Sequence, residues 1–170
     1  GLEVLSVERF EIHGGSVRVI IGKGIPDDTV AEFVKAETRY RNIEPYQEFA
    51  EDVHLNIGNF RRQMLELNLA DKYVSGFAAS AKGNTLLNVC GINTDIIDVI
   101  IDETSEKIGK FSPGTGIPIV HKNYFIDNNP NYLVILAENF KNELITKARE
   151  AGFTGKFIVP IPQFEIIEWI

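Results

Sequence analysis

The 170-residue sequence contains a single cysteine, Cys90, and a single methionine, Met64. One thiol excludes a disulfide within the chain and any zinc site built from several cysteines. Cys90 falls in an apolar run just before Gly91 and reads as a small buried hydrophobe. No apolar run reaches the roughly 18 residues that suggest a membrane span, and no signal-peptide pattern opens the chain. A cytoplasmic, reducing compartment is expected, with no membrane partner. Positive charge is scarce, with 17 Lys and Arg against 24 Asp and Glu and a net charge of −7. That balance argues against a nucleic-acid partner, which needs a basic excess. It leaves room for one anionic small molecule held by a local lysine and backbone amides. No methionine stands at position 1, and the chain opens in the strand-like run LEVLSVERF, as a domain cut from a longer protein would.

Hydrophobic residues make up 44% of the chain, enough for a real core, and its length suggests one domain. Residues 4–12 and 17–21 read as strands joined by His13-Gly14-Gly15-Ser16, a hairpin signal. Ile25-Pro26-Asp27-Asp28 reads as a helix start. From Pro45, apolar residues recur in steps of three and four at Tyr46, Phe49, Ala50, Val53, Ile57, Phe60, Met64 and Leu67. That period predicts one long amphipathic helix, roughly 35 Å at 1.5 Å per residue.

The rest of the chain is organised around residues 72–91, KYVSGFAASAKGNTLLNVCG. A short apolar run, residues 73–77, ends in small residues, and a helix-compatible run, 85–90, comes next with Gly91 as its stop. Strand, tight turn and helix make the opening unit of a Rossmann-type domain, with a helix N-terminus suited to phosphate. Lys82 adds a point charge there, and Ser80, Asn84 and Thr85 add hydrogen-bonding groups. Further strands are expected at 95–102, 117–120, 132–137 and 157–160. A helix is expected over 138–151, and an apolar tail over 164–170. The fold class is therefore α/β: a Rossmann-like parallel sheet with helices on both faces, preceded by a β-hairpin and a long helix. Residues 1–70 form the hairpin and helical lead-in, and 71–170 the parallel core. Ligands of such sheets bind outside the carboxyl ends of the strands. That places residues 78–85, Asp102 and Glu138-Asn139 near a site.

Gly76-Phe77-Ala78-Ala79-Ser80-Ala81 has the shape of a dinucleotide fingerprint with alanine at the second and third glycine positions, and Asp102 is spaced to meet a ribose. An NAD(P)-dependent oxidoreductase domain is one alternative, and a non-catalytic nucleotide-sugar binding module another. The run Ser80-Ala81-Lys82-Gly83-Asn84-Thr85 resembles the ASAKGNT motif of S-adenosylmethionine-dependent sugar C-methyltransferases. Ile12-His13-Gly14-Gly15-Ser16-Val17-Arg18 resembles the hairpin of that family, and Glu44-Pro45-Tyr46-Gln47-Glu48-Phe49-Ala50 the start of its long helix. Ser112-Pro113-Gly114-Thr115-Gly116-Ile117-Pro118-Ile119 resembles its PGT-x-IPI loop, and Lys156-Phe157-Ile158-Val159-Pro160 its closing strand. The chain departs from the family at Ala78, where glycine is usual, and at Glu103-Thr104-Ser105, where an Asp-Asn-Pro-like turn is common.

The resemblance implies a C-terminal, substrate-binding domain of an enzyme that methylates a carbon of a nucleotide-diphospho-keto-sugar. A base removes the proton beside the ketone and the enolate attacks the sulfonium methyl. The Tyr-His-Glu-His catalytic motif, the zinc cysteines and the glycine-rich cofactor loop of the family have no counterpart here. The partners implied are therefore the N-terminal zinc-binding and methyltransferase domains. S-adenosylmethionine is bound outside this chain, which alone binds no cofactor or metal and is expected to be inactive. Ser80, Lys82, Gly83, Asn84 and Thr85 are the expected diphosphate ligands, with Ser112, Pro113, Gly114 and Thr115 as a wall. Asp102 either faces the ligand or caps the sheet edge. Arg18 pairs with a phosphate or with an acid. His13 is a catalytic or substrate-contacting candidate, or a plain turn residue. His54 is expected to face solvent, and His121 to cap a helix or lie on the surface.

Overall fold

A computed structural model describes residues 1–12 and 14–168, except for the side chain of Ile126. Two compact units are present, Gly1–Asp52 and Val53–Ile170.

In the first unit, β1 (Glu3–Phe10) pairs antiparallel with β2 (Ser16–Gly22). Gly14 and Gly15 between them have φ of +84° and +113°, values a side chain disfavours. Helix α1 (Asp28–Glu37) is capped by Asp27, whose carboxylate accepts from the Thr29 N–H at 3.0 Å. Pro26 therefore lies before the cap rather than in the first turn. The helix is tied to the hairpin by the Val7 N–H, which donates to Thr29 Oγ1 at 3.0 Å, and by the Arg9 guanidinium over the Phe33 ring at 4.7 Å. A 3₁₀ turn, Thr38–Arg41, comes after it.

Helix α2 (Glu44–Leu69) runs through the division between the units. Its apolar period is read correctly, but burial is confined to its second half. Phe60 and Met64 are fully buried, whereas Tyr46 and Phe49 are 53% and 68% exposed.

The second unit is a six-stranded sheet in the order β5-β4-β3-β6-β7-β8. β3 (Val74–Phe77), β4 (Ile100–Asp102), β5 (Ile119–His121), β6 (Tyr132–Ile135) and β7 (Lys156–Val159) are parallel. The tail is a strand of its own, β8 (Glu165–Ile167), antiparallel to β7, so the sheet is mixed at that edge. β4 is shorter than the apolar run 95–102 suggests. Asn93 explains this: its side chain accepts from the Asp95 N–H and its carbonyl from the Ile96 and Ile97 N–H groups, so a turn uses up the front of the run. Ile97 is still fully buried.

Alternation along the strands feeds two cores. Val74, Ile100, Val134 and Ile158 pack with Phe60 and Met64 of α2 and with Leu87 and Cys90 of α3 (Ala81–Cys90). Phe77, Ile101, Leu133, Ile135 and Phe157 pack on the other face with Phe125 of α4 (Tyr124–Asp127) and Leu144 and Ala148 of α5 (Lys141–Glu150). A 3₁₀ turn, Glu138–Phe140, leads into α5. Gly91 ends α3 at φ +62°, and the Arg61 guanidinium donates to the carbonyl of Cys90 at that end. Among the described residues no helix is long and apolar enough to cross a membrane.

Candidate functional site

The sheet order reverses between β3 and β6, where crossovers leave in opposite directions and a crevice opens at the carboxyl ends. The turn after β3 lies there. Ala78 holds φ at +67°, an unusual value for a residue with a side chain. Ser80 then caps α3: its Oγ accepts from the Gly83 N–H at 2.9 Å and donates to the carbonyl of Leu136 beyond β6. The helix begins at Ala81, so Lys82, Gly83, Asn84 and Thr85 belong to its first turns rather than to the loop before it.

Gly83 is buried against β6. A Cβ there would come within 2.6 Å of the Leu136 carbonyl oxygen. Its missing side chain thus sets how closely α3 approaches the strand. The Asn84 N–H donates to the Ser80 carbonyl at 3.0 Å. That leaves the Ala81 and Lys82 N–H groups without a partner among the described residues, two donors at the positive end of a helix.

Beside this end lies a cleft of about 560 Å³, with Ser80, Asn84 and Thr85 on one wall and Lys107, Lys110 and Phe111 on the other. Ser112 and Pro113 line it too, whereas Gly114 and Thr115 do not. Those two shape the loop. Thr115 shares a hydroxyl contact with the buried Ser112, whose Oγ also accepts from the Ile117 N–H at 2.9 Å. Gly114 has φ +80°, and its open side takes the Asn88 amide. Asn88 Nδ2 donates to the Pro113 carbonyl at 3.0 Å and ties the loop to α3.

The Lys82 ammonium pairs with Glu138. Asp102 has both carboxylate oxygens engaged. Oδ1 accepts from the Thr104 N–H at 2.7 Å; Oδ2 accepts from the Ala79 N–H at 2.7 Å and faces Lys107 Nζ at 3.3 Å. Burial pushes this carboxyl up, but the bonds from Thr104 and Ala79 and the Lys107 charge together hold it below the usual carboxylate range. Both oxygens that the oxidoreductase alternative would turn to a ribose are thus already held by the protein itself. Lys107 also donates to the Ala79 carbonyl at 2.9 Å. It thereby stands between the main cleft and a smaller one of about 250 Å³ lined by Asp102 and Thr104.

Arg18 lies in the first unit, where it pairs with Glu8 across the hairpin and stacks over the Phe10 ring at 4.7 Å. His13 lies outside the described residues. His54 is exposed, and His121 Nδ1 accepts from the Asn123 N–H at 3.2 Å just before α4. Sequence reasoning missed Lys107, Lys110 and Phe111. Their signal was present: two lysines three residues apart, then an aromatic, in a polar loop after a strand end. Among the described residues no group of three or more His, Cys, Asp or Glu is placed to hold a metal.

Residues 11–162 match the family of C-methyltransferase C-terminal domains. The C-methyltransferase NovU of Streptomyces niveus is 35% identical over 178 residues, an alignment covering 98% of this chain and 41% of that protein. The chain thus spans less than half the length of this relative.

Proposed function

Because the chain belongs to the family of C-methyltransferase C-terminal domains, we propose that it is the substrate-holding domain of a longer enzyme that methylates a ring carbon of a nucleotide-diphospho-keto-sugar. The observation that carries the reading is the pair of unbonded N–H groups at Ala81 and Lys82, at the head of a helix that walls a lysine-bearing cleft. Oriented donors and a local positive charge suit a diphosphate. In this arrangement Ser80 and Gly83 build the helix start, the N–H groups of Ala81 and Lys82 meet phosphate oxygens, and Thr85, Ser112 and Pro113 border the ligand. Asp102 acts by holding the Ala79 backbone and the loop after β4.

The methyl donor of such an enzyme is S-adenosylmethionine. Its sulfonium is a poor match for a cleft that already carries Lys107 and Lys110, so this chain's residues do not fit it. The donor, the base and the zinc-binding segment belong to the remainder of the parent enzyme. A cytoplasmic setting goes with this reading, since the Cys90 thiol stays reduced there.

Titration calorimetry of the chain with nucleoside diphosphates and nucleotide-linked keto sugars tests the proposal. Binding that pyrophosphate competes away is the expected result. No heat with any of them, or turnover of S-adenosylmethionine by the 170 residues alone, overturns it.

A further inference from the structure

Asn84 lies one turn into α3, and its Oδ1 is buried with no hydrogen-bond donor in reach. Its neighbour one turn on is satisfied, because Asn88 Nδ2 donates to the Asn84 and Pro113 carbonyls at 2.8 and 3.0 Å. Buried acceptors are nearly always paired, so a lone one on a cleft wall calls for a donor from outside. Ile100, Ile119, Leu136 and Phe111 give the same cleft an apolar part. The diphosphate of a nucleotide-sugar, esterified at both ends and fully ionised, cannot fill this need, since its oxygens only accept and would meet another acceptor. Charge has a different receiver. Six of the eight lysines of this unit pair with acids; Lys72 and Lys110 have no acid partner among the described residues, and of these two Lys110 lines the cleft.

We infer that the cleft divides its ligand: Asn84 Oδ1 accepts an N–H or O–H from the uncharged part, while Lys110 and the free N–H groups of Ala81 and Lys82 take the phosphates. This rests on the reading that the cleft holds a nucleotide-diphospho-sugar. It makes Asn84 a specificity-determining residue and moves it off the diphosphate. It also assigns the side-chain charge to Lys110 in place of Lys82, whose ammonium Glu138 already meets.

Calorimetry on the 170-residue chain separates the two roles. The probes are pyrophosphate, uridine diphosphate, its N3-methyl analogue and a uridine diphosphohexose. Asn84→Ala, repeated with Asn84→Leu, should weaken at least one nucleotide probe on the order of tenfold, the loss of one hydrogen bond. Pyrophosphate should be unaffected. Both replacements are good helix formers, so the fold is retained. Lys110→Ala should weaken every probe alike. If N3-methylation weakens binding to the wild type but not to the Asn84 variants, the base N–H is the donor. If only the diphosphohexose responds to Asn84, the donor is a sugar hydroxyl. Asn84 variants that bind all probes as the wild type does, or that lose pyrophosphate as well, overturn the division and leave the site standing. A wild-type chain that binds no probe removes the site itself and the division with it.

Discussion

Lys82, on the first turn of α3, is paired with Glu138, just beyond β6, and the carboxylate is the more buried partner, 12% exposed against 57%. An unpaired lysine beside a positive helix end is unfavourable and suggests a missing anion. Here the protein supplies that negative charge itself.

Lys82→Met is accordingly expected to lower stability by about 1–2 kcal/mol, more than a fully exposed pair is worth, because it leaves the largely buried Glu138 carboxylate without its counter-charge. Nucleotide affinity should fall less than in Lys110→Ala. Urea denaturation and calorimetry on both variants check this. A binding loss in Lys82→Met matching that of Lys110→Ala would restore Lys82 to the site.

Gly83→Ala should be among the most damaging single substitutions in the second unit. The added methyl meets the Leu136 backbone, which cannot step aside as a side-chain end could. Overpacking of this kind costs about 1–3 kcal/mol or more. The midpoint of urea unfolding measures it, and an unchanged midpoint contradicts the close approach of α3 to β6.

Asp102 ties stability to acid. Its carboxyl lies below the usual value in the folded chain, so its contribution is complete above the ordinary unfolded value of about 3.9 and is lost as pH falls through the folded value. Asp102→Asn should cost about 1–3 kcal/mol at neutral pH, the scale for a buried charged hydrogen-bonding group. It should also flatten the acid limb of the stability profile. Parallel profiles for the two proteins would show that Asp102 is not the group responsible.

Ala78 offers the opposite case. At φ +67° a residue with a Cβ carries about 1–2 kcal/mol of strain, and glycine carries none, although it gives back roughly 0.5–1 kcal/mol in chain entropy. Ala78→Gly should therefore raise stability by up to about 1 kcal/mol, read from the thermal midpoint. A lower midpoint would mean that the methyl has a packing role that outweighs the strain.

The strand and helix around Gly76–Gly91 were legible because local signals agreed with the fold: a short apolar run, a turn of small residues, a Gly stop. The helix start was not, since the run 85–90 left out the first turn that the Ser80 cap begins at Ala81. The tail was legible only as apolar. Its pairing with β7 depends on contacts that period and composition do not encode. The start and period of α2 were legible as well, but helical period shows only that Tyr46 and Phe49 share a face and not what covers it. At the site, the turn could be found from residue types. The roles could not, because Lys82 acquires its partner from a residue 56 positions away, as Ser80 does. Lys107 and Lys110 looked like ordinary solvated charge until the loop after β4 was seen to fold back beside α3.

The antiparallel strand β8 closes the edge that β7 would otherwise present to solvent. At the opposite margin, β5 is only three residues long and its outward backbone is met by the loop after β4: the Ile119 N–H donates to the Lys110 carbonyl at 2.8 Å, and the Ile119 carbonyl accepts from the Gly109 N–H at 2.9 Å. One border of the sheet is thus covered by a loop and the other is sealed by β8. Trimming the protein after Gln163 would strip away that seal and leave β7 with a row of unpaired backbone groups. It would also remove Phe164, whose ring lies 6.5 Å from that of Phe60. The shortened chain would keep most of its core and gain a sticky border, so its failure would take the form of concentration-dependent aggregation through edge-to-edge strand addition.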